Sequence, residues 1–347
     1  MKNNFKFLFL LLITGLTITS CKKDVVDDEP TAFKQVDDYS NEAIYEWNET
    51  FLQVERYAAG YRPGPAPRAV AYMGLSAYEA CIAGMPDFNS FNEYWAGFKV
   101  PAADATKEYH WPLVVSASYE YLMPRFFNKV PSAQEQLIKT TAKRLNDKYK
   151  AEVSAEVYDR SVNRGKEVAE AVWEWSKTDL VGHDHFLDPF QGYDWVAKYK
   201  KAGDWEPTFP GPGKPMGGVW GKARTFAIKE DQKVCRKPIP YSEDPKSHLY
   251  SQAIEVYAQN TPSLSYEAEW VGEFWSDDLV NLTFSPGVRF LAIGNQVLDR
   301  EKSNLETAVW MTALVGTSCN DAGVACWYSK YYYNVERPES YIKRLID

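Results

Sequence analysis

Asp321-Ala-Gly-Val-Ala-Cys-Trp-Tyr-Ser-Lys330-Tyr-Tyr-Tyr-Asn-Val-Glu-Arg337-Pro338 is the stretch on which the rest of this chain turns. Leading into it, Ala308 to Val315 is apolar at helical spacing and free of proline, which predicts one buried helix from Asn304 to Asn334. Trp327 and Lys330 are three apart and share a face of that helix. Arg337 lies seven beyond Lys330, two turns and roughly 10 Å of rise if the helix persists. Pro338 pushes Arg337 out of the α region, so Arg337 stands where the helix stops and the chain turns. A lysine and an arginine on one face can close on a tetrahedral oxyanion from two sides, arginine supplying a fork and lysine a point charge. Such a pair can also be a solvated basic face. The Trp beside the Lys, the apolar lead-in and the Arg-Pro stop favour the site.

Outward from this helix, the pattern is helical throughout. Asp38 to Ala59 is amphipathic, with Ser40 as the expected cap. Ala66 to Cys81 is so dense in Ala and Gly that it predicts close helix-helix approach and burial on most faces. Its two charges, Arg68 and Glu79, are read as internal partners or as site residues. Helices are predicted over 107–127, 132–149 and 153–177, the second opened by a capping box of Ser132 and Glu135, and over 249–258, 266–275 and 286–298. There are no paired strands, internal repeats, phosphate-binding glycine loops or nucleophile elbows, so the fold class is all-α, a helical bundle. Residues 181–246 break the pattern as a Pro- and Gly-rich loop, long enough to suggest a lid or substrate contact. It holds His183-Asp184-His185, a spacing that can chelate a metal but is more often inert in a polar loop; no metal site is expected.

The N-terminus reads as a secretory signal over 1–20, ending Ile18-Thr19-Ser20-Cys21, with Cys21 the residue to be acylated. Residues 21–37 form a charged, proline-containing tether, and the domain runs over 38–347. Acyl chains at about 0.8 kcal/mol per buried CH₂ would anchor the chain stably to a membrane. The other cysteines, Cys81, Cys235, Cys319 and Cys326, have no disulfide spacing: Cys319 and Cys326 are roughly 10 Å apart on one helix. A net charge of −8 argues against nucleic acid as partner. Mean hydropathy of −0.44 argues against an integral membrane protein.

At Lys330, six intervening residues and Arg337-Pro338, the chain resembles the first signature of the vanadium-dependent haloperoxidase and type 2 phosphatidic acid phosphatase superfamily. Trp327 resembles the pocket wall of its bacterial haloperoxidase-like branch. Tyr78-Glu79-Ala80, Trp205-Glu206-Pro207-Thr208, Trp220-Gly221 and Phe274-Trp275-Ser276-Asp277 extend the likeness over Ala66 to Pro338. The resemblance implies a soluble helical bundle that binds vanadate, or phosphate as substrate or inhibitor. It also implies halide oxidation by peroxide or phosphoester hydrolysis, with Lys330 and Arg337 on the equatorial oxygens. The family has two further signatures, each carrying a catalytic histidine, and the last histidine here is His248. The expectation is therefore a family member with its C-terminal part missing, inactive alone and open to a chain that supplies the rest. Without that part, an apolar face of the Asn304–Asn334 helix should lie bare. The tether resembles those of surface-exposed lipoproteins, which implies a lipid anchor in the outer membrane.

A different class of reading is a non-enzymatic outer-membrane lipoprotein that binds glycans or nutrients. Twelve Trp and 15% aromatic residues fit it, and fit a bundle with large core side chains equally well.

Overall fold

The computed structural model describes residues 33–208, 213–259, 265–276, 279 and 281–347. The signal sequence 1–20, the acylation site Cys21 and the tether to residue 32 lie outside the described residues. Twelve α-helices are seen among the described residues. They are α1 (Glu42–Glu55), α2 (Pro65–Cys81), α3 (Trp111–Phe126), α4 (Ser132–Lys150), α5 (Ala155–Lys177), α6 (Leu180–Asp184), α7 (Trp195–Lys198), α8 (His248–Ala258), α9 (Tyr266–Phe274), α10 (Arg289–Arg300), α11 (Leu305–Tyr333) and α12 (Pro338–Leu345). Two isolated bridges, Ser40 with Asn304 and Asp204 with Val335, are the only β pairings among the described residues. The class is all-α.

Every residue of α2 is buried, because α11, α3 and α5 all pack on it. Its small side chains make this possible, and the tightest approach is at two glycines. A Cβ at Gly74 would stand 2.9 Å from the Thr312–Ala313 backbone of α11, and one at Gly316 would stand 2.7 Å from Ala71 of α2. The two backbones meet where side chains are absent from both sides, which is the close approach the Ala/Gly density predicts. Around this axis, large aromatics fill the space between helices: Trp47 stacks on Tyr119, and Trp175 on Trp95. Trp47 Nε1 donates to Ser116 Oγ at 3.1 Å, so its burial leaves no orphan donor.

Both ends of α11 fall as the sequence predicts. Asn304 caps the start, its side chain accepting from Thr307 N at 2.9 Å. Asn334 ends it in the left-handed region, φ 51 and ψ 47, a C-terminal stop that Asn tolerates. Other local expectations are corrected. Asn41, not Ser40, precedes α1; Ser40 is bridged to Asn304. Pro131, extended at ψ 155, starts α4 and moves Ser132 inside the helix, so the Ser132/Glu135 capping box does not form. The folded body also begins inside the stretch read as tether: Val36 is fully buried and Trp111 Nε1 donates to Lys34 O.

The helices next to the C-terminal region are apolar on their outer side. Phe290, Ile293 and Val297 make an exposed stripe on α10, and Trp310 and Leu314 are exposed on α11.

Candidate functional site

Trp327, Lys330 and Arg337 line one groove of about 1290 Å³ on the C-terminal half of α11. Its far wall comes from the long loop, with Trp205, Pro207, Lys214 and Met216 facing the helix, and its end from Phe190 and Phe290. Thus Trp205, Pro207 and Thr208 of the long loop line the groove that holds Trp327, Lys330 and Arg337.

The reason this loop lies on α11 is a series of polar groups along the C-terminal half of the helix. Asp321, almost fully buried, accepts from three successive backbone amides: Phe226 N at 2.8 Å, Ala227 N at 2.7 Å and Ile228 N at 3.1 Å. Asn320 donates to Arg224 O at 2.9 Å. Two turns and more beyond, Ser329 Oγ donates to Lys233 O and accepts from Cys235 N, both at 2.9 Å. Tyr333 donates to Cys235 O at 2.8 Å, while Trp327 Nε1 and the Tyr331 hydroxyl both donate to Met216 O. Gly217, at φ +76, lies on the Trp327 indole where a Cβ would stand 2.3 Å from its Nε1. The helix is packed by α2 on one face and by hydrogen-bonded loop on another, and its exposed face carries apolar Trp310 and Leu314, so it shows no amphipathic stripe. Asp321 was the missed residue. A carboxylate in an otherwise apolar helical run is the signal for it, since a charge buried there must be satisfied by donors.

The groove's cations differ in how free they are. Lys233 is buried and held by Glu230 at 2.6 Å and by the carbonyls of Gly221 and Ala223. Lys330 is exposed, its ammonium 4.1 Å from the centre of the Trp327 ring, a cation–π contact that fixes where the charge sits. Arg337 is exposed and extended, φ −74 and ψ 148, directly before α12, as Pro338 dictates. Its charge reaches Tyr331, whose hydroxyl is pushed up to about 12 by burial and then by Tyr193, with Arg337 opposing both. Among the described residues no carboxylate pairs with Lys330 or Arg337. Glu336, the acid beside Arg337, is taken by Arg344 at 3.0 Å. What remains on that wall is net positive charge in a largely apolar groove.

The other candidates are structural. Arg68 is buried against Asp179 at 3.0 Å and donates to Ser176 O at 2.8 Å. Glu79 accepts from Ser90 Oγ and Phe91 N, at 2.6 and 2.7 Å. His183 lies edge-on to Trp173, and His185 packs on the Trp220 ring. Among the described residues no group of three or more His, Cys, Asp or Glu is placed to hold a metal. Cys81, Cys235, Cys319 and Cys326 are free thiols. None of the groove's described lining residues is a histidine.

Those histidines give the fold a pH dependence. Burial, the largest cause in each, holds His110, His183 and His185 below their ordinary value of 6.5. Above pH 6.5 the rings are neutral folded or unfolded. As pH falls below 6.5 the unfolded chain takes up protons that the folded chain resists, so stability declines toward acid. The urea midpoint should fall between pH 7 and pH 5, and His185→Phe, which keeps a ring on Trp220, should fall less. Equal slopes for variant and wild type would remove His185 from the effect.

Comparison with known proteins comes from structure. No family model matches the chain, and no curated protein does. Among solved structures, one described as the crystal structure of the first bacterial vanadium-dependent iodoperoxidase is similar, with a TM-score of 0.75 and 23% sequence identity. The match covers 89% of this chain and 73% of that one. The two share a fold, the helical architecture to which the sequence resemblance pointed.

Proposed function

We propose that the groove is an oxyanion site and that the chain's chemistry is of the haloperoxidase or phosphatase kind, halide oxidation by peroxide or phosphoester hydrolysis. The observation that carries this is the wall shared by Trp327, Lys330 and Arg337, with two exposed cations that no described carboxylate neutralises. An ammonium and a guanidinium suit the charge and geometry of vanadate or phosphate. Vanadate, when bound, supplies a centre at which peroxide is activated toward halide. Lys330 would neutralise the anion's oxygens from its perch on Trp327, Arg337 would bind them with its fork, and the loop around Met216 would keep water from part of the groove. The acid–base and nucleophilic steps need a histidine, and the groove's described lining has none. We therefore expect these 347 residues to bind vanadate without turning over, and to work together with a polypeptide that brings the histidines.

The test is titration with orthovanadate, read as quenching of tryptophan fluorescence and competed by inorganic phosphate. Saturable, phosphate-sensitive quenching is expected. A flat titration would refute the oxyanion site, and oxidation of iodide or bromide by this chain alone would refute its inactivity. Acylation at Cys21 would place the groove in the cell envelope at the outer membrane. A second reading, glycan or nutrient binding by an envelope lipoprotein, draws on the exposed Tyr266, Trp270 and Trp275 of the α9 segment. Glycan binding untouched by Lys330→Ala would favour it.

A further inference from the structure

A second, smaller cavity of about 340 Å³ lies beside the groove, lined by residues of the 201–204 and 237–241 segments, α8 and the start of α12. The two share five lining residues, Pro238, Tyr333, Val335, Glu336 and Pro338, so Arg337 stands in sequence between two residues that face both. The smaller cavity is largely apolar, with Ile239, Leu249, Ala253, Val256 and Val335 contributing aliphatic surface and Lys201, Lys237 and Gln252 also on its wall. Three tyrosines complete it, and each has its hydroxyl engaged elsewhere. Tyr333 donates to Cys235 O, Tyr341 to Ser242 O, and Tyr241 to Glu243. What these tyrosines have left to offer a ligand is their rings. The two carboxylates on the wall are occupied as well, Glu336 by Arg344 and Asp204 by the amides of Lys200 and Lys201. A largely apolar, aromatic-sided space of this volume is at the small end of ligand pockets and suits a single ring or a short branched chain.

We infer that the smaller cavity is the subsite for the organic part of the ligand whose oxyanion sits on Lys330 and Arg337. The ligand class is then a phosphomonoester or phosphonate with a compact aromatic or branched aliphatic body. This rests on the oxyanion reading and narrows it: a bare inorganic anion leaves the second cavity empty.

The experiment compares phenylphosphonate, methylphosphonate and inorganic phosphate by calorimetric titration of the full chain. Phenylphosphonate should bind at least about ten-fold more tightly than methylphosphonate, because its ring is removed from water. Val256→Trp and Ile239→Trp, both at partly exposed positions of the cavity wall, should abolish that advantage while leaving inorganic phosphate binding unchanged. Equal affinity for the two phosphonates with phosphate binding intact overturns the subsite and leaves the oxyanion site standing. An advantage for phenylphosphonate that survives both tryptophans also overturns it. Absence of binding by phosphate and vanadate alike overturns the oxyanion reading itself.

Discussion

Asp321→Ala is expected to destabilise the protein by about 3–5 kcal/mol, more than any single change in the groove itself. The carboxylate is buried and receives three successive amides of the 226–228 segment. Alanine leaves all three donors without their acceptor, and the most buried of them, Phe226 N, costs about 1–3 kcal/mol on its own. Asp321→Asn should be nearly as harmful. Its amide oxygen can keep Phe226 N, but its NH₂ then meets the Ala227 and Ile228 amides, donor against donor. Asn320→Ala, one residue earlier, loses the bonds to Arg224 O and to Asp321 Oδ1 but leaves the three loop amides paired, and should cost only about 1–2 kcal/mol. Urea midpoints rank the three, and limited proteolysis locates the damage, because the loop from Arg224 to Cys235 should be nicked first. An Asp321→Ala protein within 1 kcal/mol of wild type, with an uncut loop, would mean that the loop is held by its apolar contacts instead.

Asp321 also marks the boundary between what the sequence discloses and what it does not. The course of α11 is legible because its signals are local: an apolar run, Asn at each end and a proline beyond. The burial of α2 is legible because small residues permit only one kind of environment. The loop is a different matter. Its order comes from bonds that cross about a hundred residues, such as Phe226 N to Asp321 and Cys235 N to Ser329. Nothing in the local composition of 181–246 says which side chains of α11 it will meet. Periodicity likewise fails to report the second face of α11, since the exposed positions of this helix include Trp310 and Leu314 and leave no polar stripe to set it off. The small cavity beside Arg337 is further out of reach, being assembled from segments distant in the chain and from tyrosines whose hydroxyls happen to be spoken for. At the site itself, Pro338 already marks Arg337 in the sequence as lying past the helix end, and the structure follows that route into a common groove: α11 stops at Tyr333, Asn334 turns the chain, and Arg337 arrives from the connection into α12.

That route makes Arg337 dependent on its neighbours, and this leads to the largest functional effects expected. Lys330→Ala and Arg337→Ala should each weaken vanadate binding roughly ten-fold, the lower end for a charge-assisted contact because both side chains are exposed. Arg337→Lys should recover part of the loss, since it restores the charge without the fork. The two effects should fall short of adding in the double variant if both cations grip the same anion. A more discriminating change is Arg344→Ala. Arg344 touches no part of the proposed anion contact, yet it holds Glu336 at 3.0 Å and also pairs with Glu243 at 2.7 Å. Freed of it, Glu336 would present an unpaired carboxylate next to Arg337 on the groove wall, and a carboxylate there both repels the anion and competes for the guanidinium. Binding should weaken although every proposed donor is present, and raising the salt concentration should shrink the difference from wild type, as screening acts on repulsion between exposed charges. Glu336→Gln combined with Arg344→Ala should restore affinity. If Arg344→Ala binds vanadate as wild type does, Glu336 does not face the bound anion, and the placement of the oxyanion at Arg337 is wrong even if Lys330 proves essential.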